Sequence, residues 1–148
     1  MSSDSPAVIR VARAADIPAL AQLAGELGYA TTTGQMAPRF ARVTADGDHR
    51  VFVAEDATGT VVGWVQVHFT RYLASDPRGE VAGLVVAAGT RGRGLGRSLM
   101  HAAEQWTRKQ GGTVVALRSN ILRKETHRFY ERLGYAVTKT SLYFKRDL

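Results

Sequence analysis

The chain has 148 residues and a formal net charge of +7, and 45% of its residues are hydrophobic. The length favours one domain, and the absence of cysteine excludes disulfides, thiolate metal sites and a cysteine nucleophile. Every apolar run is shorter than the roughly 20 residues that a membrane span needs. Residues 1–6 lack the features of a signal peptide. We therefore expect a short disordered lead at 1–6, a single domain at 7–148 and a cytoplasmic location.

Hydrophobic periodicity predicts the elements. Alternating apolar residues indicate strands, apolar residues three and four apart indicate helices, and Gly28 and Gly134 are placed to end helices. The first predicted elements in chain order are a strand at 8–13, a helix from 16 to 28, a loop at 31–34, a short helix that includes 36–43 and ends near 46–48, strands at 51–55 and 61–69, and a loop at 71–79. They are followed by a strand at 80–86, a helix from 95 to 110, a strand at 114–118, a helix at 126–133, and a closing hairpin with strands at 135–138 and 141–145.

A glycine-rich loop between the strand at 80–86 and the next helix carries the main functional signal. It reads Arg91-Gly92-Arg93-Gly94-Leu95-Gly96. Glycines allow sharp turns that leave backbone N–H groups uncovered. A helix start adds unpaired donors and a partial positive charge. This combination predicts a seat for a phosphate or pyrophosphate.

Two common phosphate loops do not fit this segment. The dinucleotide pattern starting at Gly92 needs glycine where the chain has Arg97. The Walker A pattern needs a lysine, and the chain has none between Gly59 and Lys109. The pattern that remains is R-x-x-G-x-G.

That pattern resembles the acetyl-CoA loop of the Gcn5-related N-acetyltransferases. The resemblance extends from about Val8 to the C-terminus, because the loop is followed at 129–135 by F-Y-E-R-L-G-Y, which fits the family's order and spacing. It implies an α/β (α+β) acetyltransferase fold. In that fold, a mixed, mostly antiparallel sheet carries helices on both faces in the order β-α-α-β-β-β-α-β-α-β-β.

The resemblance also implies which residues bind acetyl-CoA. Gly83 is unusual inside a strand and indicates a bulge or the close approach of another chain. In the family the pantetheine arm lies beside this strand. Asn120 and Arg123 are alternative further contacts, since the family often has an asparagine where this chain has Arg123. The implied cofactor residues are Leu84, Val85, Val86, Arg91, Gly92, Arg93, Gly94, Leu95, Gly96, Arg97, Ser98, Asn120 and Arg123.

Two side chains are candidates for acid–base chemistry. By resemblance, Tyr130 on the last helix protonates the departing thiolate, although it is alternatively a packed core tyrosine. Glu80 is the candidate base that deprotonates the amine directly or through one water. Many family members carry this glutamate at the position of Ala82, so Glu80 is alternatively a solvated carboxylate at a strand end.

The acceptor is less constrained by the sequence. Tyr29 and His68 are candidate substrate residues together with Glu80, and residues 28–47 are expected to set specificity. The resemblance implies an acetyl-CoA-dependent N-acetyltransferase that acts on a small primary amine, with no metal. A protein N-terminal or lysine acetyltransferase and a non-catalytic acyl-CoA-binding module remain alternatives. We expect neither a nucleic-acid nor a membrane partner, and a homodimer stays open.

Overall fold

The computed structural model describes residues 7–148, so the predicted lead at 1–6 lies outside it. The chain divides into two compact units, one ending at Arg118 and the other comprising Ser119–Leu148. The first unit holds strands β1 (Val8–Val11), β2 (His49–Glu55), β3 (Val61–Thr70), β4 (Arg78–Val86) and β5 (Val115–Leu117), and helices α1 (Ile17–Glu26), α2 (Thr33–Ala45) and α3 (Leu95–Lys109). The second holds helix α4 (Lys124–Arg132).

The five strands form one sheet in the order β1-β2-β3-β4-β5. The first three pairings are antiparallel, and β4 pairs with β5 in parallel. The prediction of a mixed, mostly antiparallel sheet is therefore confirmed.

Helices cover both faces of this sheet, as predicted. Two neighbouring residues of β3 face opposite sides of the sheet, because successive side chains of a strand alternate between its faces. A Cβ added at Gly63 would lie 3.1 Å from Leu99 of α3, whereas Trp64 packs against the buried cluster that Met36 and Phe40 of α2 also cover. Leu99 is fully buried. The sheet thus separates a core under α3 from a core under α1 and α2.

A partly buried cluster of three charged side chains joins β1, β2 and the start of α1. Asp16 accepts hydrogen bonds from both terminal nitrogens of Arg10 at 2.8 and 2.9 Å, and it also caps the turn through the Arg13 N–H at 2.8 Å. Arg10 Nε reaches Glu55 at 2.7 Å. Asp16 is only 5% exposed. This capped turn explains why β1 ends at Val11, two residues before the predicted strand end.

The loop predicted at 31–34 is partly helical. Thr32 caps α2 by accepting a hydrogen bond from the Gln35 N–H at 3.1 Å, and the Thr32 N–H donates back to Gln35 Oε1 at 2.9 Å. This reciprocal capping box satisfies two backbone donors that a helix start leaves unpaired, so Thr33 and Gly34 belong to the first turn of α2.

The predicted closing hairpin is wrong. The described chain has no strand after β5, and every residue from Ala136 to Leu148 is exposed. A two-stranded hairpin is marginal in water without a surface to pack on, and the unit Ser119–Leu148 has no buried residue. The helix before it is confirmed, with Gly134 at φ +95° just beyond its end, as a helix-terminating glycine requires.

Candidate active site

A β-bulge interrupts β4 in the middle of the sheet. Gly83 lies opposite Gln66 of β3, whereas Val81 lies opposite the next residue, Val67, so Ala82 is the extra residue. Within the described chain, β5 pairs with β4 only from Gly79 to Val81. Beyond the bulge, β4 therefore has a strand partner on its β3 side alone. Its other edge offers main-chain hydrogen-bonding groups to an extended ligand.

Gly83 lies beside this bulge, and an aromatic ring lies over it. A Cβ at position 83 would be 3.0 Å from Cζ3 of Trp64, closer than ordinary contacts allow. The sequence predicted a bulge or a close approach at this glycine. The bulge is present at the neighbouring Ala82, and the group that lies against Gly83 is the side chain of Trp64 instead of another chain.

The glycine-rich loop leads directly into α3. Gly92 and Gly94 have φ values of +85° and +76°, a left-handed backbone that side chains disfavour. Gly94 is the N-cap residue and supplies no side-chain cap. The first bond within the helix runs from the Ser98 N–H to the Gly94 carbonyl at 3.0 Å. The N–H groups of the preceding first turn thus have no acceptor within the helix.

The side chains of this loop divide into two groups. Arg93 and Arg97 are exposed, whereas Leu95 is 9% exposed and belongs to the core. Leu95 can therefore meet a ligand only through its backbone. Arg91 Nε lies 3.4 Å from the Val86 carbonyl, and the Ser98 hydroxyl donates to the Gly94 carbonyl at 3.1 Å. Neither Arg93 nor Arg97 makes a side-chain hydrogen bond or a salt bridge within the described residues, although the charge of Arg93 helps to lower the pKa of Asp56.

A contact that the sequence did not indicate joins this region to α1. The Ala88 N–H, just beyond β4, donates to Glu26 Oε1 at 3.0 Å. Glu26 is the last residue of α1. The end of α1 is thereby attached to the strand end that precedes the glycine loop.

Glu80 lies on the sheet face that carries α1 and α2, directly across from His68. The Tyr72 hydroxyl donates a hydrogen bond to Glu80 Oε1, and Arg78 Nε reaches the same oxygen at 3.3 Å. The Arg78 guanidinium also stacks 4.6 Å over the Tyr72 ring. Burial favours a higher pKa for Glu80, but the hydrogen bonds from Tyr72 and Arg78 outweigh it and hold the pKa below its usual value.

His68 is part of a small histidine cluster on the same face. Its ring stacks on His49 with centroids 5.1 Å apart and planes within 8°. Its Nδ1 lies 3.1 Å from Thr70 Oγ1. Burial lowers the pKa of His68, His49 lowers it further, and the negative charge of Glu80 opposes both effects. Of the predicted substrate residues, His68 and Glu80 are brought together, whereas Tyr29 is 72% exposed in the loop after α1.

Sequence reasoning missed Tyr72, Arg78 and His49. Arg78 could have been predicted, because residues two apart on a strand share a face and Arg78 precedes Glu80 by two. Tyr72 lies in a loop, where no hydrophobic periodicity indicates the direction of a side chain. His49 required the β2–β3 register, which pairs it with His68.

The second unit carries Tyr130 on α4. Its ring makes edge-on contacts with Phe129 at 5.0 Å and Tyr135 at 5.9 Å. Burial raises the pKa of Tyr130, and the charge of Arg123 opposes this. Asn120 is engaged locally, because its Oδ1 accepts from the Leu122 N–H at 2.9 Å.

His127 lies with Nε2 2.8 Å from the Asn120 carbonyl oxygen. Together these contacts fix the turn before α4. Arg123, the residue directly before α4, has an exposed side chain.

A family model described as the acetyltransferase (GNAT) family matches residues 18–135. The match spans the bulged strand, the glycine loop and the tyrosine helix together. The chain belongs to the GNAT acetyltransferase family. The predicted family and acetyltransferase fold are confirmed, and the chain is an acetyltransferase of a family that uses acetyl-CoA.

Individual GNAT proteins resemble this chain over different lengths. It is 30% identical to an aminoglycoside N(6')-acetyltransferase type 1 of Stenotrophomonas maltophilia, over 97% of this chain and 95% of that protein. It is 38% identical to an aminoalkylphosphonate N-acetyltransferase of Salmonella typhimurium, over 52% of this chain and 51% of that one. A solved aminoglycoside N-acetyltransferase in complex with CoA superposes with a TM-score of 0.85 at 16% identity, covering 96% of this chain and 95% of that one.

Two further features of this GNAT chain concern the described residues 7–148. No group of three or more histidine, aspartate or glutamate side chains there is arranged to hold a metal ion. None of the helices found there combines the length and apolar character that crossing a membrane requires.

Proposed function

We propose that this acetyltransferase moves the acetyl group of acetyl-CoA to a primary amine of a small molecule, by direct attack of the amine on the thioester. The observation that carries the proposal concerns β4, the strand that bears Glu80. Its open edge leads through the glycine-rich loop to the start of α3, which has no side-chain cap. An extended thiol arm ending in a pyrophosphate matches a free strand edge that leads to a helix N-terminus.

On the cofactor side, the main-chain groups of Leu84, Val85 and Val86 hold the pantetheine arm. The N–H groups of the loop and of the first turn of α3 receive the pyrophosphate, and Arg93 and Arg97 add charge-assisted contacts. Arg123 has the charge and reach for a further phosphate, and Asn120 is the alternative contact through its Nδ2 donors.

In the reaction, the acceptor ammonium loses a proton and the free amine attacks the acetyl carbonyl. The new N–C bond forms as the C–S bond breaks, and the thiolate leaves with the electron pair of the C–S bond. Tyr130 then protonates the thiolate. Its raised pKa keeps the phenol protonated at neutral pH, as a proton donor must be.

Two relatives support a small-molecule acceptor. One is named for an aminoglycoside and matches nearly the whole chain, and the other is named for an aminoalkylphosphonate and matches half of it. The first name implies a polycation and the second an amine that carries an anionic group. The acceptor face combines Glu80 with Arg78, so the two classes are best tested side by side.

The test measures acetyl-CoA binding by isothermal titration and then thiol release with an aminoglycoside, an aminoalkylphosphonate and a lysine peptide. We expect binding and turnover with at least one small amine. Turnover with the peptide alone favours the protein-acetyltransferase alternative, and binding without any turnover favours the binding module. Loss of acetyl-CoA binding altogether contradicts the proposal.

A matched pair of glycine variants examines the phosphate seat. Gly94→Ala strains a left-handed residue at φ +76°, and we expect weaker acetyl-CoA binding by about tenfold, equivalent to roughly 1.4 kcal/mol. Gly47→Ala is the control, because an added Cβ there meets nothing within 4 Å. Equal affinities in the two variants would argue against this seat.

The single domain at 7–148, the homodimer and the cytoplasmic location stay predictions. Analytical ultracentrifugation of the full chain measures the oligomeric state directly.

A further inference from the structure

Two ionisable side chains face each other across β3 and β4 on the acceptor side of the sheet. His68 and Glu80 are register partners, and each contributes to the electrostatic environment of the other. Of these two, sequence reasoning had favoured the carboxylate as the base. Their contacts favour a different division of roles.

Glu80 is held as a stable anion. Tyr72 and Arg78 both donate to Oε1, and Arg78 adds a positive charge beside it. A proton arriving on Glu80 would weaken both contacts. Because a general base works best when its pKa lies near the working pH, a carboxylate stabilised in this way is a poor proton acceptor.

His68 is held in place while keeping one nitrogen available. Thr70 engages Nδ1 at 3.1 Å, and the parallel stack with His49 restrains the ring plane. Nε2 has no hydrogen bond to any residue of the described chain. In the tautomer with a proton on Nδ1, that proton is donated to Thr70 and the Nε2 lone pair is basic.

We infer that His68 accepts the proton of the acceptor ammonium and that Glu80 stabilises the resulting imidazolium, an assignment that rests on the acetyl transfer proposed above. One proton passes from the ammonium nitrogen to His68 Nε2 and then to solvent. The second proton, released by the attacking nitrogen after the N–C bond forms, balances the one that Tyr130 gives to the thiolate.

The groups around His68 fit this role. From β2 it faces His49, whose Nε2 lies 3.6 Å from Asp46, and from β4 it faces Glu80 with its partner Arg78. The sides of α1 and α2 that pack on the sheet are apolar, with Leu20 of α1 and Phe40 of α2 as examples. Glu80 is the anion whose charge favours the protonated form of His68.

The test compares pH profiles of kcat/KM for the wild type, His68→Gln and Glu80→Gln, using the small amine with the highest turnover. We expect His68→Gln to lose about 10²-fold at neutral pH and to lose the acidic limb of the profile. Glu80→Gln should keep that limb but move it to lower pH, because the carboxylate raises the pKa of His68. An NMR titration of the imidazole in the same proteins reports the shift directly.

His101→Gln is the matched control, since His101 is exposed on α3, and we expect its profile to follow the wild type. Thr70→Val supplies a second variant that keeps the imidazole. It should lower kcat while leaving KM for acetyl-CoA unchanged, because it frees the ring without touching the cofactor side.

An acidic limb that disappears in Glu80→Gln and persists in His68→Gln overturns the inference and restores Glu80 as the base. An unchanged profile in His68→Gln, with turnover intact, overturns it as well. Absence of turnover with every amine, despite acetyl-CoA binding, overturns the proposed function and this inference with it. The two failures are thus distinguishable.

Discussion

The hydroxyl of Tyr72 donates a hydrogen bond to Oε1 of Glu80, eight residues later in the chain. It is a contact between a loop and a strand of the central sheet, and it engages the carboxylate on the acceptor face. Because the contact stabilises the charged form of Glu80, it couples the conformation of the loop at 71–77 to the charge of the site.

Replacing Tyr72 tests this coupling. Tyr72→Phe removes the hydroxyl and leaves the ring under Arg78. The pKa of Glu80 should then rise, because the effect of burial is no longer opposed by the hydrogen bond from Tyr72. A carbon-detected NMR titration of the Glu80 carboxyl measures the change. An unaltered titration curve would show that the hydroxyl does not stabilise the carboxylate in solution.

The close approach of Trp64 to Gly83 makes a stability prediction. Gly83→Ala places a Cβ 3.0 Å from the indole ring, and we expect it to lower the free energy of unfolding by about 2 kcal/mol, as overpacking of a core does. Urea unfolding followed by tryptophan fluorescence measures the loss.

Gly25→Ala is the control for that variant. An added Cβ at position 25 meets nothing within 4 Å, and alanine is preferred over glycine inside a helix such as α1 by roughly 0.5–1 kcal/mol. This variant should be as stable as the wild type or slightly more stable. Equal destabilisation of both variants would show that the contact with Trp64 does not cause the loss of stability in Gly83→Ala.

The ion pair of Arg10 and Asp16 predicts a pH-dependent stability. Hydrogen bonds from Arg10 hold the pKa of the buried Asp16 carboxyl below its usual value. The ionised Asp16 carboxylate therefore adds its full contribution to the free energy of unfolding above the pKa of about 3.9 that it has in the unfolded chain. This contribution is lost as the pH falls through the lower pKa of the folded state. Asp16→Asn should cost about 3 kcal/mol at pH 7, because it removes the carboxylate that both terminal nitrogens of Arg10 contact and leaves only the bond from Arg10 Nε to Glu55.

The pH dependence separates this effect from a general packing defect. The stability gap between wild type and Asp16→Asn should narrow as the pH drops below 4, as chemical unfolding across pH would show. Asp147→Asn, at an exposed pair with Lys145, should cost less than about 1 kcal/mol. A gap that stays constant down to pH 2 would contradict the assignment.

Tyr130 makes a kinetic prediction under the proposed function. Tyr130→Phe should lower kcat by about 10²-fold, since the thiolate then leaves without its proton donor. The pKa of Tyr130 is raised above its usual value of about 10, so loss of the wild-type phenol proton should reduce activity only above pH 10. Tyr143→Phe, at a residue that is 86% exposed, should match the wild type in a steady-state thiol-release assay. Unchanged kcat in Tyr130→Phe would reassign this tyrosine to packing.

Much of the fold could be predicted because its signals are local. The apolar spacing of Leu95, Leu99 and Ala103 depends on one helix alone, and so does the glycine that ends α4. Gly83 was informative for the same reason, since a glycine in an apolar strand needs a cause within its immediate surroundings. The cause itself, the ring of Trp64, required the pairing register of two strands and the bulge at Ala82.

The errors arose where partners are distant in the chain. The stretch from Tyr135 to Lys145 holds two short apolar runs, at 135–137 and 142–144, but such runs show only that a segment can be a strand, not that it has a surface to pack on. The engagement of Glu80 by Tyr72 depends on the path of a loop. The attachment of Ala88 to Glu26 joins residues 62 positions apart, and no periodic pattern reports such a contact.

Helix α3 has one further consequence. Its first turn carries the N–H groups that receive an anion in our proposal, and about one turn later Leu99 and Met100 are almost completely buried. The donors are therefore fixed before any ligand arrives, so little conformational entropy remains to be lost on binding. An evolving enzyme of this design can alter the loop at 28–32 and the residues around Glu80 to accept new amines, while the cofactor end stays rigid and unchanged.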